Sequence, residues 1–213
     1  MHVLIIGDFH VPDRSRELPF DLIKSLNTEL DTQPFDFIAC TGDLTKADMI
    51  EPIIATWCDK YVVVQGNMDY DLRNAKAFPR AAEFDTGDFI PDREPLKLGL
   101  THGHQIARRG DEFELAAIAR ELDANVLISG HTHAPEIRLH EEPIDGRQAL
   151  LLNPGSATGA WSFMASMFPS YMVLDIEPDD EGLVLHIALH EIPEGEESVK
   201  SITFRYANGT FRA

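Results

Sequence analysis

Short apolar runs of strand length recur through the first two thirds of the chain. They are rich in Val, Ile and Phe and are nearly continuous, a pattern typical of strands that are buried on both faces. The runs are HVLIIG (2–7), FDFIAC (35–40), YVVVQG (61–66) and VLISG (126–130). We therefore predict four buried strands in this part of the chain.

Helix-like segments separate these runs. Apolar residues recur at i, i+3, i+4 and i+7 in FDLIKSLNTEL (20–30) and KADMIEPIIATW (46–57), and a third such segment is DEFELAAIAREL (111–122). Thr45 is a suitable N-cap for the second helix. Alternation of strands with helices predicts an α/β fold in which helices cover the faces of the sheet.

The last third of the chain has a different pattern. LLLNPGSATG (150–159), YMVLDIE (171–177) and LVLHIALHEI (183–192) are strand-like, and PDDEG (178–182) is a turn signal. Nine carboxylates fall between Asp175 and Glu197, which predicts a solvated acidic face on an antiparallel second sheet. No repeat or linker interrupts the sequence, so residues 1–213 are expected to form a single domain.

Charge and cysteine usage narrow the function. The 213 residues include 18 Lys+Arg and 36 Asp+Glu, a net charge of −18 that disfavours nucleic acid and anionic membranes as partners. Any anionic substrate would need a local positive charge, such as a metal ion. Cys40 and Cys58 form no disulfide framework, and no apolar stretch has the length of a membrane span. These features predict free thiols and a cytoplasmic protein.

Metal-type side chains follow five of the strand-like runs. They are Asp8 and His10 after HVLIIG, Asp43 after FDFIACTG, Asn67 after YVVVQG, His102 and His104 after LKLGLT, and His131 and His133 after NVLISG. Ligands of open α/β sheets bind outside the carboxyl ends of the strands, where these side chains would meet. A glycine precedes four of the clusters, as a tight turn or a close backbone approach requires. In extended backbone, the i, i+2 pairs Asp8/His10 and His131/His133 would each project to one side.

Seven of these residues are candidate ligands: Asp8, His10, Asp43, Asn67, His102, His131 and His133. Seven are too many for one tetrahedral ion but suit two ions about 3.5–4 Å apart that share a carboxylate. Asp43 is the natural bridge. A nitrogen and oxygen donor set without thiolate favours Mn, with Ni, Zn or Fe as the alternatives. His2, His140, His186 and His190 are interpreted as ordinary surface or core residues.

The motifs GDFH, TGD, GNMD, THGH and SGHTH, in this order, resemble those of the calcineurin-like metallophosphoesterase family, in particular its small prokaryotic phosphodiesterases. GDFHVPDR (7–14), THGHQI (101–106), LISGHTH (127–133) and NPGSATGA (153–160) are also similar to the phosphoesterase-fold subunits of the eukaryotic retromer complex. The resemblance implies a two-layer β sandwich flanked by helices, with a dinuclear metal centre on one edge. It assigns Asp8, His10, Asp43 and His133 to one ion and Asp43, Asn67, His102 and His131 to the other.

The family likeness implies a metal-dependent phosphodiesterase that hydrolyses small phosphodiesters with a metal-activated water. The alternative to this enzymatic function is a metal-binding protein-interaction scaffold with little or no catalysis. Many relatives carry His directly after the motif Asn, where this chain has Met68. His104 and Asp69 are the candidate replacement acids, although Asp69 could instead orient Asn67. Arg14, Arg108 and Arg109 are either phosphate contacts or ordinary surface arginines.

An aromatic and methionine-rich segment, WSFMASMFPSYM (161–172), bears on the choice between enzyme and scaffold. Packing in the core or in a loop is the commoner explanation of such a run. If it were exposed, it would mark a surface for a protein partner or for a homo-oligomer.

Overall fold

Two β-sheets packed face to face form the centre of the molecule. The structure is a computed structural model that describes residues 1–69, 78–144 and 146–213. In chain order the strands are β1 (His2–Ile6), β2 (Phe37–Cys40), β3 (Tyr61–Val63), β4 (Ala81–Asp85), β5 (Lys97–Thr101), β6 (Val126–Ile128), β7 (Glu136–Ile144), β8 (Arg147–Asn153), β9 (Ser170–Pro178), β10 (Leu183–Glu191), β11 (Ser198–Ala207) and β12 (Thr210–Arg212).

The first sheet runs β12-β11-β10-β9-β1-β2-β3, and the second runs β4-β5-β6-β8-β7. In the first sheet β1, β2 and β3 are parallel to one another, while β9 is antiparallel to β1. In the second sheet β5, β6 and β8 are parallel. The parallel strands of both sheets carry their carboxyl ends to a common edge, where the candidate ligands follow β1, β2, β3, β5 and β6.

In the part of the chain that the structure describes, three α-helices flank the sheets: α1 (Phe20–Thr32), α2 (Ala47–Trp57) and α3 (Glu112–Glu121). The predicted cap of α2 is wrong, because Lys46 occupies the N-cap position and makes no side-chain cap. The helix that does have a side-chain cap is α3, where the Asp111 carboxylate accepts from the backbone N–H groups of Phe113 and Glu114.

Alternate residues of β1 face two different cores. Val3 and Ile5 contribute to the cluster between the two sheets, together with residues of β5, β6 and β8. Leu4 and Ile6 pack on the other side, in the cluster that includes apolar residues of α1 and α2. A third cluster fixes α3 on the outer face of the second sheet. The layers are therefore helix, sheet, sheet and helix, which confirms the predicted sandwich and explains the continuous apolar runs.

The prediction for the last third of the chain needs a correction. β9 and β10 do not belong to a second sheet, since β9 pairs with β1 and extends the first sheet. The acidic residues of this region lie at exposed or half-buried positions, as expected of a solvated face. The sequence pattern does not predict β4, β7, β11 and β12. For example, β11 is mostly exposed and so has no apolar run. No helix within the described ranges has the length and apolar character needed to cross a membrane.

Candidate metal centre

All seven predicted ligands converge on the edge where the two sheets meet. Those of the first sheet follow β1, β2 and β3, and those of the second sheet follow β5 and β6. The convergence does not depend on one local motif, because segments more than 120 residues apart in sequence supply directly contacting side chains. The fold therefore brings together the side chains that follow the strand ends, as the sequence pattern predicts.

Four of the seven form a buried cluster. One ligand atom from each of Asp8, His10, Asp43 and His133 lies within 4.8 Å of the corresponding atoms of the other three. The Nε2 atoms of His10 and His133 are 3.0 Å apart. Asp8 Oδ1 is 3.1 Å from His133 Nε2, and Asp43 Oδ2 is 3.4 Å from His10 Nε2. Nitrogen and oxygen atoms thus point at a common centre.

The remaining three residues lie beside this cluster. His102 Nε2 is 3.4 Å from Asp43 Oδ2 and 3.1 Å from Asn67 Oδ1. The rings of His102 and His131 have their centroids 5.1 Å apart. One oxygen of Asp43 is therefore equally distant from an imidazole of each group, which is the position required of a shared carboxylate.

The backbone at the ligands is left-handed, which corrects the expectation of extended i, i+2 pairs. The φ angles are 50° at Asp8, 50° at His10, 52° at Asp43, 69° at His131 and 60° at His133. Asp and His are among the residues that tolerate this region, yet each such residue costs of order 1 kcal/mol or more. The side chains converge because the backbone turns sharply after each strand.

The glycines that precede the ligands are required by close approach. A Cβ atom on Gly66 would lie 2.0 Å from Asp43 Oδ1, and one on Gly130 would lie 2.4 Å from Asp8 Oδ2. Both distances are far below van der Waals contact, so a side chain at either position would displace a carboxylate. This confirms the reason given for the glycines from the sequence.

Backbone carbonyls set the tautomers of two imidazoles. Nδ1 of His102 lies 2.8 Å from the carbonyl oxygen of Thr41, and Nδ1 of His133 lies 2.7 Å from that of Ala160. A carbonyl can only accept, so each Nδ1 carries a proton and donates it. In the neutral ring, Nε2 is then left with a lone pair that faces the centre, the arrangement common in metal-binding histidines.

The donor set fits a divalent cation. Asp8 Oδ1 is a buried polar atom with no hydrogen-bond partner among the described residues. Two imidazole nitrogens at 3.0 Å and two carboxylates also bring lone pairs together at short range. A cation would relieve both problems, and mixed imidazole and carboxylate ligands suit Mn, Fe, Ni or Zn.

The local electrostatics favour charged carboxylates. Burial opposes ionisation of Asp8 and Asp43, but imidazole contacts outweigh it and lower the pKa of both carboxyls. Burial likewise opposes protonation of His102, yet the hydrogen bond to Asp43 and the charges of Asp8 and Asp43 raise its pKa to about 9. Burial and the charge of His102 lower the pKa of His131 to about 4. The negative charge is thus concentrated on the two carboxylates.

Asp69 lies behind the site. Its carboxylate accepts hydrogen bonds from the backbone N–H groups of Asp43 and Gly66, both at 2.8 Å, and of Thr45 at 2.9 Å. Burial raises its pKa, with the charge of Asp43 acting in the same direction. Both oxygens are engaged by these backbone groups, so Asp69 holds the loops of Asp43 and Gly66; orientation of Asn67, the role that the sequence left open, is not among these contacts. Nothing in the sequence signalled the partners Asp43 and Thr45.

The other candidate acid, His104, lies at the rim. Its side chain is exposed, and its ring centroid is 5.3 Å from that of His102 and 6.3 Å from that of His131. Burial and the charge of His102 lower its pKa, which favours the neutral imidazole at pH 7. Met68, where many relatives carry His, donates its backbone N–H to Asp43 Oδ1 at 2.7 Å.

Two of the three candidate arginines contact the segment after the NPGSATGA motif. Arg14 donates to the carbonyl oxygen of Trp161 at 2.8 Å, and Arg109 donates to Ser162 Oγ at 2.9 Å. Arg109 also reaches the carbonyl oxygen of His131 at 3.4 Å. Arg108 donates its backbone N–H to Glu114 and is exposed. The arginines therefore connect the metal-site loops with residues 161–168, which we term the rim segment.

The rim segment is exposed, so the interpretation of the run 161–172 as packed side chains is wrong for residues 161–168, whereas Tyr171 and Met172 at its end do lie in the core. Its large apolar side chains have exposed fractions of 54% (Trp161), 85% (Phe163), 51% (Met164), 52% (Met167) and 38% (Phe168). Hydrogen bonds hold it against the metal centre, since Ser166 N–H donates to the carbonyl oxygen of His133 at 3.1 Å. An ordered apolar patch therefore borders the site.

Family comparisons agree with this geometry. Residues 1–179 match the calcineurin-like phosphoesterase superfamily domain, and the chain belongs to this superfamily. It is also similar to the vacuolar protein sorting-associated protein 29 (Vps29) of Schizosaccharomyces pombe, with 32% identity over 210 residues, 96% of this chain and 98% of the relative.

Solved structures give the same result. Wild-type Vps29 of Entamoeba histolytica in complex with Zn²⁺ is 33% identical with a TM-score of 0.75, over 95% of this chain and 99% of that one. A predicted phosphoesterase from Streptococcus pneumoniae TIGR4 shares the fold, at 22% identity and a TM-score of 0.57, over 94% and 97% of the two chains. The resemblance drawn from the motifs is confirmed.

Proposed function

We propose that this protein is a metal-binding interaction module that docks a protein partner through the rim segment. The observation that carries the proposal is the exposed apolar patch from Trp161 to Phe168, fixed by hydrogen bonds to loops that hold metal ligands. Patches of this kind on a surface are typical of protein interfaces. Similarity to Vps29 over nearly the whole chain supports the same assignment.

The metal centre has a structural role in this proposal. One divalent ion is held by Asp8, His10, Asp43 and His133, and a second by Asp43, Asn67, His102 and His131. The ions offset the buried carboxylates and hold five loops together, including the loop on which the rim segment rests. Residues 1–213 act as one domain in the cytoplasm, in keeping with the two free cysteines Cys40 and Cys58.

Metal content is tested with the purified protein. We expect about two equivalents of Mn²⁺ or Zn²⁺ by elemental analysis after loading and desalting. Asp43→Ala should lose both ions because its carboxylate contacts both groups, whereas Asp88→Ala, which removes an exposed carboxylate, should lose neither. Retention of both ions by Asp43→Ala would contradict the shared-carboxylate arrangement.

Docking is tested with a surface variant. Trp161→Ser/Phe163→Ser removes the two aromatic rings that pack edge to face in the rim segment, with centroids 5.0 Å apart. The matched control is Phe20→Ser, which removes a ring that is 77% exposed on α1. A partner recovered in stoichiometric amount with wild type and control, but not with the double variant, is the expected result. Equal recovery with all three would contradict it, and light scattering would show whether the partner is a second copy.

A second candidate function is hydrolysis of small phosphodiesters, favoured by the convergence of all seven ligand residues. Bound ions would supply Lewis acidity for the phosphate and lower the pKa of a water molecule. The two candidate acids of the chain, Asp69 and His104, are poorly suited to protonate a leaving alkoxide. Asp69 is engaged by backbone groups, and a lowered pKa keeps His104 mostly unprotonated. General acid catalysis normally contributes about 10²–10⁴-fold, so activity should be slow and confined to good leaving groups.

This candidate is tested with bis(p-nitrophenyl) phosphate and Mn²⁺, alongside the monoester p-nitrophenyl phosphate. Slow diester cleavage that Asp43→Ala abolishes would support an enzyme. Full metal content without turnover would contradict the enzyme and leave the interaction module as the only remaining candidate. Faster cleavage of the monoester would contradict the assignment of phosphodiesters as the substrate class.

A further inference from the structure

A cavity of about 570 Å³ lies beside β3 and β4, the strands at which the first and the second sheet end. Cavities of this size are typical of sites for small organic molecules. The lining residues that the structure describes include no metal ligand and no residue of the rim segment. Four half-buried aromatic side chains line the cavity: Phe37, Tyr61, Phe84 and Phe89.

These aromatic rings form a floor that is held by the rest of the fold. Phe37 on β2 and Phe84 on β4 pack together across the two sheets, with ring centroids 4.6 Å apart. Both rings and that of Phe89 also pack against the hydrophobic core between the sheets. The backbone N–H of Phe89 donates to the carbonyl oxygen of Thr86 at 3.0 Å. The floor is therefore in place before a ligand binds.

A cation of the chain itself already lies on this floor. Lys60 lines the cavity, and its Nζ atom is 5.4 Å from the centroid of the Phe89 ring. An ammonium within about 6 Å of an aromatic centroid is attracted by the negative face of the ring. Lys60 carries this ammonium on a flexible aliphatic stem. The contact therefore shows which ligand chemistry the floor accepts, namely an alkylammonium group.

The charges around the cavity favour more than one such group. Three exposed aspartates line it, and none of them forms an ion pair with a described residue: Asp59, Asp85 and Asp88. Asp85 accepts the backbone N–H of Gly87 through Oδ1 at 2.8 Å, which leaves Oδ2 to a further donor. Three carboxylates and the ammonium of Lys60 give the described lining a net charge of −2.

We propose that this cavity binds a linear aliphatic polyamine, such as spermidine. The methylene groups pack on the rings of Phe84 and Phe89, and the ammonium groups donate to the carboxylates of Asp59, Asp85 and Asp88. A carboxylate can only accept, so an ammonium with N–H donors fits it better than a quaternary ammonium does. Carboxylates on separate segments of the chain suit a ligand with several ammonium groups along one apolar chain.

The test uses calorimetric titration of the full chain at about 0.15 M ionic strength, which screens long-range attraction to the acidic surface. Two probes of equal charge separate chemistry from charge: spermidine, and hexaamminecobalt(III), which offers N–H donors without methylene groups. We expect spermidine to bind at least about fivefold more tightly. Equal or tighter binding of hexaamminecobalt(III), or no binding of spermidine at millimolar concentration, would overturn the proposal.

A charge-matched pair of variants locates the site. Asp85→Asn/Asp88→Asn should weaken spermidine by about five- to tenfold, because two ion pairs with the ligand are lost. The control is Glu141→Gln/Glu142→Gln, which removes two exposed carboxylates of β7 outside the cavity and changes the net charge equally. The control should stay within about twofold of wild type. Equal weakening by both double variants would show general attraction to an acidic protein and overturn the assignment.

Two single variants test the floor in opposite directions. Lys60→Gln removes the competing ammonium and should strengthen spermidine by about two- to fivefold, whereas Lys24→Gln, an exposed lysine of α1, should not. Phe89→Leu keeps an apolar side chain without the ring and should weaken spermidine by about two- to fivefold. Thermal unfolding checks that each variant is folded. Unchanged affinity in both Lys60→Gln and Phe89→Leu would place the polyamine elsewhere and overturn the assignment; the outcome is independent of the proposed metal-site function.

Discussion

Asp43 and Asp69 hold each other's loops through a reciprocal pair of backbone contacts. The backbone N–H of Asp43 donates to Asp69 Oδ2 at 2.8 Å, and Asp43 Oδ1 accepts from the N–H of Met68, which precedes Asp69, at 2.7 Å. The loop after β2 and the loop after β3 are thereby locked together. This lock leaves Asp43 Oδ2 directed toward His10 and His102.

Because these contacts hold the two loops together, we expect substitutions of Asp69 to lower the stability of the protein. In Asp69→Asn one oxygen becomes an amide nitrogen, which cannot accept from a backbone N–H, so at least one buried donor loses its partner. We expect a loss of about 1–3 kcal/mol in the free energy of unfolding, measured by urea denaturation in EDTA. Asp69→Ala should cost more because all three acceptor contacts disappear. Asp88→Asn, an exposed carboxylate, is the control; equal stability of Asp69→Asn and wild type would show that the lock is unimportant.

Gly66→Ala should displace the carboxylate of Asp43. The added Cβ would lie 2.0 Å from Asp43 Oδ1 and 2.4 Å from its backbone nitrogen, so the Asp43 loop must move. Overpacking of this kind costs about 1–3 kcal/mol, and metal content should fall together with stability.

The matched control for that substitution is Gly87→Ala. Its new Cβ would come within 3.0 Å of the Asp85 side chain, which is exposed and can move aside. Elemental analysis and urea denaturation of the two variants give the comparison. Wild-type metal content in Gly66→Ala would argue that the close approach has no bearing on the site.

Much of the site could be predicted because strand ends and metal-type residues coincide in the sequence. Asp8, Asp43 and His131 were each identified by a preceding apolar run and a glycine, signals that are local. Their left-handed backbone could not be inferred, since spacing alone does not distinguish an extended pair from a tight turn. The supports of the site, such as the carbonyl oxygen of Ala160, carry no sequence signal because every residue has a carbonyl.

The fold was predictable to a similar extent. β1 and β6 are buried on both faces and therefore leave a continuous apolar run. β11 is largely exposed, and the partner of β9 is set by packing across distant segments, so neither could be deduced from periodicity. The exposure of the rim segment cannot be deduced from the sequence, because an apolar run has the same composition in a core as on a surface.

The cap of α3 provides a simpler test of the local structure. Asp111→Ala removes the acceptor of two backbone N–H groups and should cost about 1 kcal/mol of unfolding free energy. Thr45→Ala should cost much less, because the Thr45 hydroxyl is not a cap of α2 and makes no hydrogen bond among the described residues. Urea denaturation of both variants measures the difference; similar losses would contradict the assignment of the caps.

Glu197 should make stability depend on pH at acid values. Although burial opposes its ionisation, hydrogen bonds from Ser25 and His190 lower the pKa of its carboxyl; Oε1 lies 2.5 Å from Ser25 Oγ and 2.7 Å from His190 Nδ1. Tyr171 stacks on His190 with ring centroids 4.4 Å apart, and Glu29 lies 4.0 Å from the other His190 nitrogen.

A lowered carboxyl pKa contributes stability above the ordinary value of about 4.3, and this contribution is lost as the pH falls through the folded-state pKa. Glu197→Gln should therefore be less stable than wild type at pH 6–7, by up to about 1 kcal/mol for a partly exposed carboxylate. The gap should close as the pH falls below about 4.3 and wild-type Glu197 becomes protonated. Urea denaturation across this range, with Glu196→Gln as the neighbouring control, measures the gap; a constant difference at every pH would show that the Glu197 charge does not stabilise the fold.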